Sequence, residues 1–310
     1  SAYGANYVDE GQSTSRLLKK MAMKPKTPSL AQARVIPDTQ YRLGNAQLSR
    51  IVQPFQKAFT SLGDLEITPK IIQRYNVKTD IDVFPDDIVS SWAGFLASVD
   101  DNERKNWPLI RYMMEVHYAE RIGDDLERNE YFKGEYAAPT PGTPGAVSTA
   151  LNGVKKLIDD GIAAGDINQV VLSAAPSAAN AFDMVEEFVD AIDEEFREVP
   201  MHLCMSTQMK VNYFRDKRNT HGGDTNYDDS KVMTVDGFPN VEIQNLPSMA
   251  GSDYIWATPK TNFFHVRRQN GIKKPELQAV DRQVKILSDW WEGIGFGIDS
   301  LIWAFDGTTV

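Results

Sequence analysis

The segment from Leu65 to Val83 constrains this chain more than any other. Its odd positions carry Leu65, Ile67, Pro69, Ile71, Tyr75, Val77, Ile81 and Val83, while Glu66, Thr68, Lys70, Arg74, Asn76, Lys78, Asp80 and Asp82 occupy even ones. Successive side chains of a strand point to opposite faces, so this pattern predicts long extended β structure with one apolar and one wet face. Pro85, Asp86 and Asp87 supply the turn signal that ends it. The alternation can continue through a hairpin whose turn the sequence does not place. Extended β structure of this kind suits a lone monomer poorly, because its edges and apolar face stay unpaired until a neighbour covers them.

A long helix follows. Pro108 suits a first helical turn, with Asn106 or Trp107 near the cap. Leu109, Met113, Val116, Ala119, Ile122 and Leu126 then recur at spacings of three and four, which predicts a helix to about Phe132. Gly134 and the run PTPGTPG at 139–145 end it in a loop. Beyond the loop the pattern is mixed: a helix over 151–165, a short buried strand over 167–174, and a helix capped by Ser177. Ala178, Ala181, Phe182, Val185, Phe188, Val189, Ile192 and Phe196 share one face of that helix. A strand at 201–205, a helix from Ser206 to about Asp216, short strands near 239–243, 254–257 and 262–268, and a β-rich stretch over 283–305 complete the reading. Residues 1–50 lack a hydrophobic period and read as an extended arm.

Charge separates that arm from the rest. The chain of 310 residues has net charge −10, yet residues 1–50 carry +5 and the remainder −15. A basic arm on an acidic body suits contact with another subunit or with polyanion, or a solvated leader. The apolar share of 42% supports a globular body and rules out wholesale disorder. One cysteine, Cys204, precludes an intrachain disulfide, and no apolar run is long enough to span a bilayer. The expectation is a soluble, intracellular product that needs no membrane.

Candidate chemistry is sparse. His202 and Cys204 sit two apart on a strand and share a face, but without a third group to orient them they read as packed core. His117 borders the apolar stripe of the long helix. Asp183, Glu187, Asp190 and Glu194 line one face of the acidic helix; without a Glu-x-x-His pattern they read as a solvated face. Asp224, Asn226 and Asp228 open like a calcium loop, yet Asp229 stands where glycine is needed and Val235 where glutamate is needed. Gly293, Gly295 and Gly297 are followed by a strand pattern and not by a phosphate-binding helix, so they are read as sites of close approach. No catalytic, cofactor or metal site is expected, and no enzyme activity.

The ordered set of elements is more specific than any one motif. WPLIRYMMEVHYAERIGDDLERNEYFKGEY at 107–136, VDGFPNVEIQNLPSMAGSDYIWATPKTNFFHVRRQNG at 235–271 and VKILSDWWEGIGFGIDSLIWAF at 284–305, with the alternation at 65–83, resemble the major capsid proteins of tailed bacteriophages. That HK-ninety-seven-like fold is shared with encapsulin compartments. The resemblance implies an α+β fold with an amino-terminal arm (1–50), an extended-loop region (51–106), a peripheral domain with a spine helix (107–175), an axial domain (176–262) and closing strands (263–310). It also implies self-assembly into hexamers and pentamers of an icosahedral head around double-stranded DNA that is not bound sequence-specifically. Portal, scaffolding and decoration proteins are the implied partners, and the virion, assembled in host cytoplasm, the implied location. The alternative is an encapsulin-like compartment. Some members join an extended-loop lysine to a neighbour's asparagine; Lys70 and Lys78 lie in that region, but no partner matches, and the activity is not carried over.

Overall fold

The computed structural model describes residues 24–84, 89, 92–93, 112, 118–220, 234–268, 276–281 and 283–310. In chain order the elements are α1 (Thr27–Leu30), β1 (Gln32–Ile36), β2 (Gln40–Leu48), β3 (Leu65–Gln73), β4 (Tyr75–Val83) and α2 (Ala119–Asp125). A π-helical turn (Leu126–Glu130) follows, then α3 (Val154–Ala164), β5 (Asn168–Gln169), α4 (Ala181–Asp190), α5 (Glu194–Arg197), β6 (Met201–Ser206) and α6 (Thr207–Thr220). The rest is β7 (Thr234–Val235), β8 (Phe238–Leu246), β9 (Ile255–Pro259), β10 (Phe263–Arg268), β11 (Glu276–Val280), β12 (Gln283–Phe296) and β13 (Trp303–Phe305). The fold is α+β, and the chain divides into two compact units.

The smaller unit contains the described parts of 1–25, 76–127 and 270–291. β11 runs antiparallel to the start of β12, from Glu276 opposite Leu287 to Val280 opposite Gln283. Val77 of β4, Tyr118 and Leu126 are buried, and the Thr79 hydroxyl bonds that of Tyr118. The predicted spine helix is described only from its later turns. Leu109, Met113, Val116 and His117 lie outside the described residues, as do Asn106, Trp107 and Pro108. Of the predicted stripe, Leu126 is buried but Ala119 is exposed, and the helix ends through the π-helical turn at Glu130 before Phe132.

The larger unit spans 26–75, 128–269 and 292–310. Its core is a six-stranded sheet in the order β5-β13-β9-β6-β8-β7. β6 is central, parallel to β8 and antiparallel to β9, with Leu203 paired to Ile243 on one side and Ala257 on the other. All six β6 residues are buried, which explains its almost unbroken apolar sequence. Met201, Leu203 and Met205 pack into one cluster with Phe182, Val185, Phe188 and Val189 of α4 and with Met209 and Tyr213 of α6. Period two sends His202 and Cys204 to the opposite face.

The predicted stripe of α4 is buried from Ala181 to Ile192, but the helix is shorter than its pattern. Ser177 does not cap it. The Ser177 hydroxyl donates to Asn180 Oδ1, Asn180 takes the cap position, and Ala178 is exposed. The Phe182 amide is instead satisfied by Asp216 Oδ2 of α6 at 2.9 Å, a cap supplied from 34 residues away. After Asp190 the chain breaks and restarts as α5, because Arg197 Nε donates to the Ile192 carbonyl at 2.8 Å and takes up the freed helix end.

A second strand layer of this unit sets β1 parallel to β10, and β10 antiparallel to the Glu292–Phe296 part of β12. The described part of the predicted arm is therefore not free-standing: β1 is built into a sheet and β2 into a hairpin. The glycines act as the sequence suggests. A Cβ on Gly293 would collide with the Gln73 carbonyl, one on Gly295 with the Ile72 side chain and one on Gly297 with the Phe264 ring. Close approach of one backbone carbonyl and two side chains accounts for the GxGxG spacing.

Candidate assembly surface

The alternating segment is two strands joined at Arg74 and not one uninterrupted strand. β3 pairs antiparallel with β2 along its whole length, from Gln40 opposite Gln73 to Leu48 opposite Leu65. Among the described residues this ribbon belongs to no larger sheet. The hairpin connection that the alternation left unplaced is residues 49–64, closed by Ser49 and Asp64: the Ser49 amide donates to the Asp64 carbonyl at 3.0 Å, and the Asp64 amide to the Ser49 hydroxyl at 2.7 Å.

The two faces of the ribbon have different fates. One face turns toward its own subunit at the base. Ile72 is buried and clusters with Phe264 and Val266, with Tyr41 and Leu43 packed against them. Asn45 Nδ2 donates to the Gly297 carbonyl at 3.0 Å, and Lys70 forms an ion pair with Asp299. Arg74 ends the ribbon: its side chain is buried and donates to the Ile36 carbonyl at 3.2 Å. Burial, and then Arg268 nearby, hold its pKa below the ordinary arginine value.

The other face brings Leu48, Ala46 and Arg42 of β2 alongside Leu65, Ile67 and Ile71 of β3. Leu48, Leu65 and Ile71 are about half exposed and Ile67 is 64% exposed. The 49–64 connection carries Phe55 at 92% and Phe59 at 97% exposure. The apolar odd positions of β3 face outward, as expected of an extension whose apolar face stays uncovered in the lone subunit, while even-numbered Ile72, on the face expected to be wet, packs inward. These side chains add little to the subunit's own core, and a bare apolar face of this kind is a candidate interaction surface.

The other candidates do not assemble into chemistry. Cys204 is fully buried, and burial pushes its thiol far above the ordinary range, so the nucleophilic thiolate is suppressed. His202 is buried beside it, with its pKa lowered by burial first and by Lys260 second. Among the acids of α4 and α5, Glu187 accepts the Ser173 amide and hydroxyl at 2.9 and 2.7 Å, and Asp190 lies 3.6 Å from Arg197. Asp183 and Glu194 are exposed. Among the described residues no group of acids, histidines and cysteine is placed to hold a metal. Asp224, Asn226, Asp228 and Asp229 lie outside the described residues. Lys78 pairs with Asp80 of its own strand at 2.6 Å. No helix among the described residues is long and apolar enough to cross a membrane.

No protein-family model matches the sequence, and no curated protein matches it either. Solved structures do match in fold. A chain of the satellite phage P4 procapsid, a structure that includes the size determination (Sid) protein, aligns over 98% of this chain and 97% of its own, with TM-score 0.58 and 9% identity. A chain from Mycobacterium phage Che8 aligns over 96% of both, with TM-score 0.55 and 12% identity. The capsid of Myoviridae phage XM1 aligns over 95% of both, with TM-score 0.53 and 11% identity. The fold is that of tailed-phage major capsid proteins.

Proposed function

We propose that this chain is a structural shell subunit, the major capsid protein of a tailed-phage head, and that it works by tiling and not by catalysis. Copies assemble into hexamers and pentamers that close an icosahedral shell around double-stranded DNA. The observation that carries this reading is the β2–β3 ribbon, which extends an apolar face and two aromatic side chains that its own subunit leaves bare. A neighbouring copy that covers this face gains the burial energy and also pairs the free strand edges. The full-length fold likeness to capsid chains supports the same reading.

In this reading residues 1–50 are the arm, 51–106 the extended loop, which β2 joins, 107–175 the peripheral domain, 176–262 the axial domain and 263–310 the closing strands. The partners are other copies of the chain, together with portal, scaffolding and decoration proteins. The finished location is the virion, after assembly in host cytoplasm. The acidic body suits a container, since tight phosphate binding needs clustered Lys and Arg. Electron microscopy and sedimentation of the purified protein test this. Closed shells or capsomer-like rings are expected. A compact monomer at high concentration, with and without scaffolding protein, would refute the reading, and shells that retain a bound cargo protein would favour the encapsulin-like alternative.

A further inference from the structure

The helices on one face of the six-stranded sheet carry opposite charge on their outer sides. α4 and α6 pack together over that sheet: the Phe182 and Tyr213 rings lie 5.4 Å apart, and Asp216 caps the Phe182 amide. Residues 181–197, which hold α4 and α5, contain seven acids against Arg197, a net −6. α6 contains four basic residues against Asp216, a net +3. Met209, Tyr213 and Asp216 turn inward, and Gln208, Val211, Arg215 and Arg218 form an exposed row on the opposite side of α6 at spacings of three and four. The two charged sides do not neutralise each other within the subunit. Lys217 pairs with Asp236 at 2.9 Å and Asp190 lies 3.6 Å from Arg197. Arg215, Arg218, Asp183 and Glu194 are exposed and have no ion-pair partner among the described residues.

We infer that the Arg215–Arg218 row of α6 docks on the acidic α4–α5 side of a second copy of this chain. Charge complementarity names the occupant, because every subunit carries both halves of the contact. Each copy therefore brings the carboxylates that the next copy's arginines lack at home. A contact between two different patches of one chain is head-to-tail, and it closes into a ring when the rotation between copies allows. This contact rests on the shell-subunit reading and adds to it an ionic interface separate from the apolar ribbon. Exposed ion pairs are individually weak, so the contact sets register and speeds encounter more than it holds the shell together. Salt weakens it, since the screening length falls from about 10 Å at 0.1 M to about 3 Å at 1 M. Val211, in the middle of the row and 37% exposed, lends the contact an apolar centre.

The test is charge exchange in the full-length chain, read as the threshold concentration for assembly by light scattering, with thermal melting of unassembled subunits as the folding control. Arg215→Glu with Arg218→Glu turns attraction into repulsion at two exposed pairs. It should raise the threshold roughly tenfold at about 0.1 M salt and much less at about 1 M. Asp183→Lys with Glu194→Lys should raise it in the same way. All four substitutions together restore opposite signs across the contact and should return the threshold to near the wild-type value, a recovery that damage to folding would not produce. Arg215→Gln with Arg218→Gln, which only removes charge, should shift the threshold in the same direction by a smaller factor. An unchanged threshold in both arginine variants, or no recovery in a fourfold variant that melts as the wild type does, would overturn the docking while leaving the shell reading intact. Wild-type protein that never assembles would overturn the shell reading and this contact with it.

Discussion

Replacing Phe55 and Phe59 together by alanine separates assembly from folding. At 92% and 97% exposure, neither ring contributes packing to its own subunit, so the unassembled variant should melt as the wild type does. If a neighbour covers both rings, the loss per subunit is about 3–6 kcal/mol, taking about 1.5–3 kcal/mol for full burial of one phenylalanine. At about 1.4 kcal/mol per factor of ten, the critical concentration for shell formation should rise by roughly 10²–10⁴-fold. Light scattering across a concentration series reads that threshold, and calorimetry of the unassembled subunit supplies the control. An unchanged threshold would show that the tip is not an interface. A lowered melting temperature would show that the rings pack at home, and either result would refute the reasoning.

Phe188→Ala, in the fully buried core of the six-stranded sheet, should cost about 3–5 kcal/mol in urea unfolding, whereas Asp190→Asn should stay within about 0.5 kcal/mol; the reverse order would invert the assigned faces of α4. Gly293→Ala drives a methyl into the Gln73 carbonyl and should destabilise the subunit by about 1–3 kcal/mol, read by thermal melting. Because burial raises the Cys204 thiol well above its ordinary range, alkylation at about pH 8 should be far slower in the native chain than in denaturant. Equal rates would mean that the β6 strand opens readily.

The sequence exposes what is periodic and local. The apolar stripe of α4 reads directly from Ala181 to Ile192, and β6 from its almost unbroken apolar run. Its caps do not read, because Asp216 and Arg197 reach helix ends by tertiary contact and Ser177 is diverted to Asn180. The alternation of β3 is equally legible, but its direction is not. Which face of a ribbon is covered depends on a partner outside the chain, and here the bulkier apolar side is the bare one. β2 was missed because Gly44, Asn45 and Ala46 interrupt its alternation where it crosses Thr68 and Pro69. The candidate surface was therefore legible as a segment and hidden as a hairpin. The hydrogen bond from Lys26 to Asn245 was hidden altogether, since the two residues are 219 apart in the chain.

The position of β13 has a consequence for how the subunit is made. Trp303–Phe305 lies between β9 and β5, pairing antiparallel with one and parallel with the other. The pieces from 168 to 259 are synthesised first, yet their sheet stays split until residues 303–305 have left the ribosome. Until then Ile255–Pro259 presents an open edge to any other nascent chain. Synthesis order thereby leaves the six-stranded sheet incomplete until residues 303–305 are made.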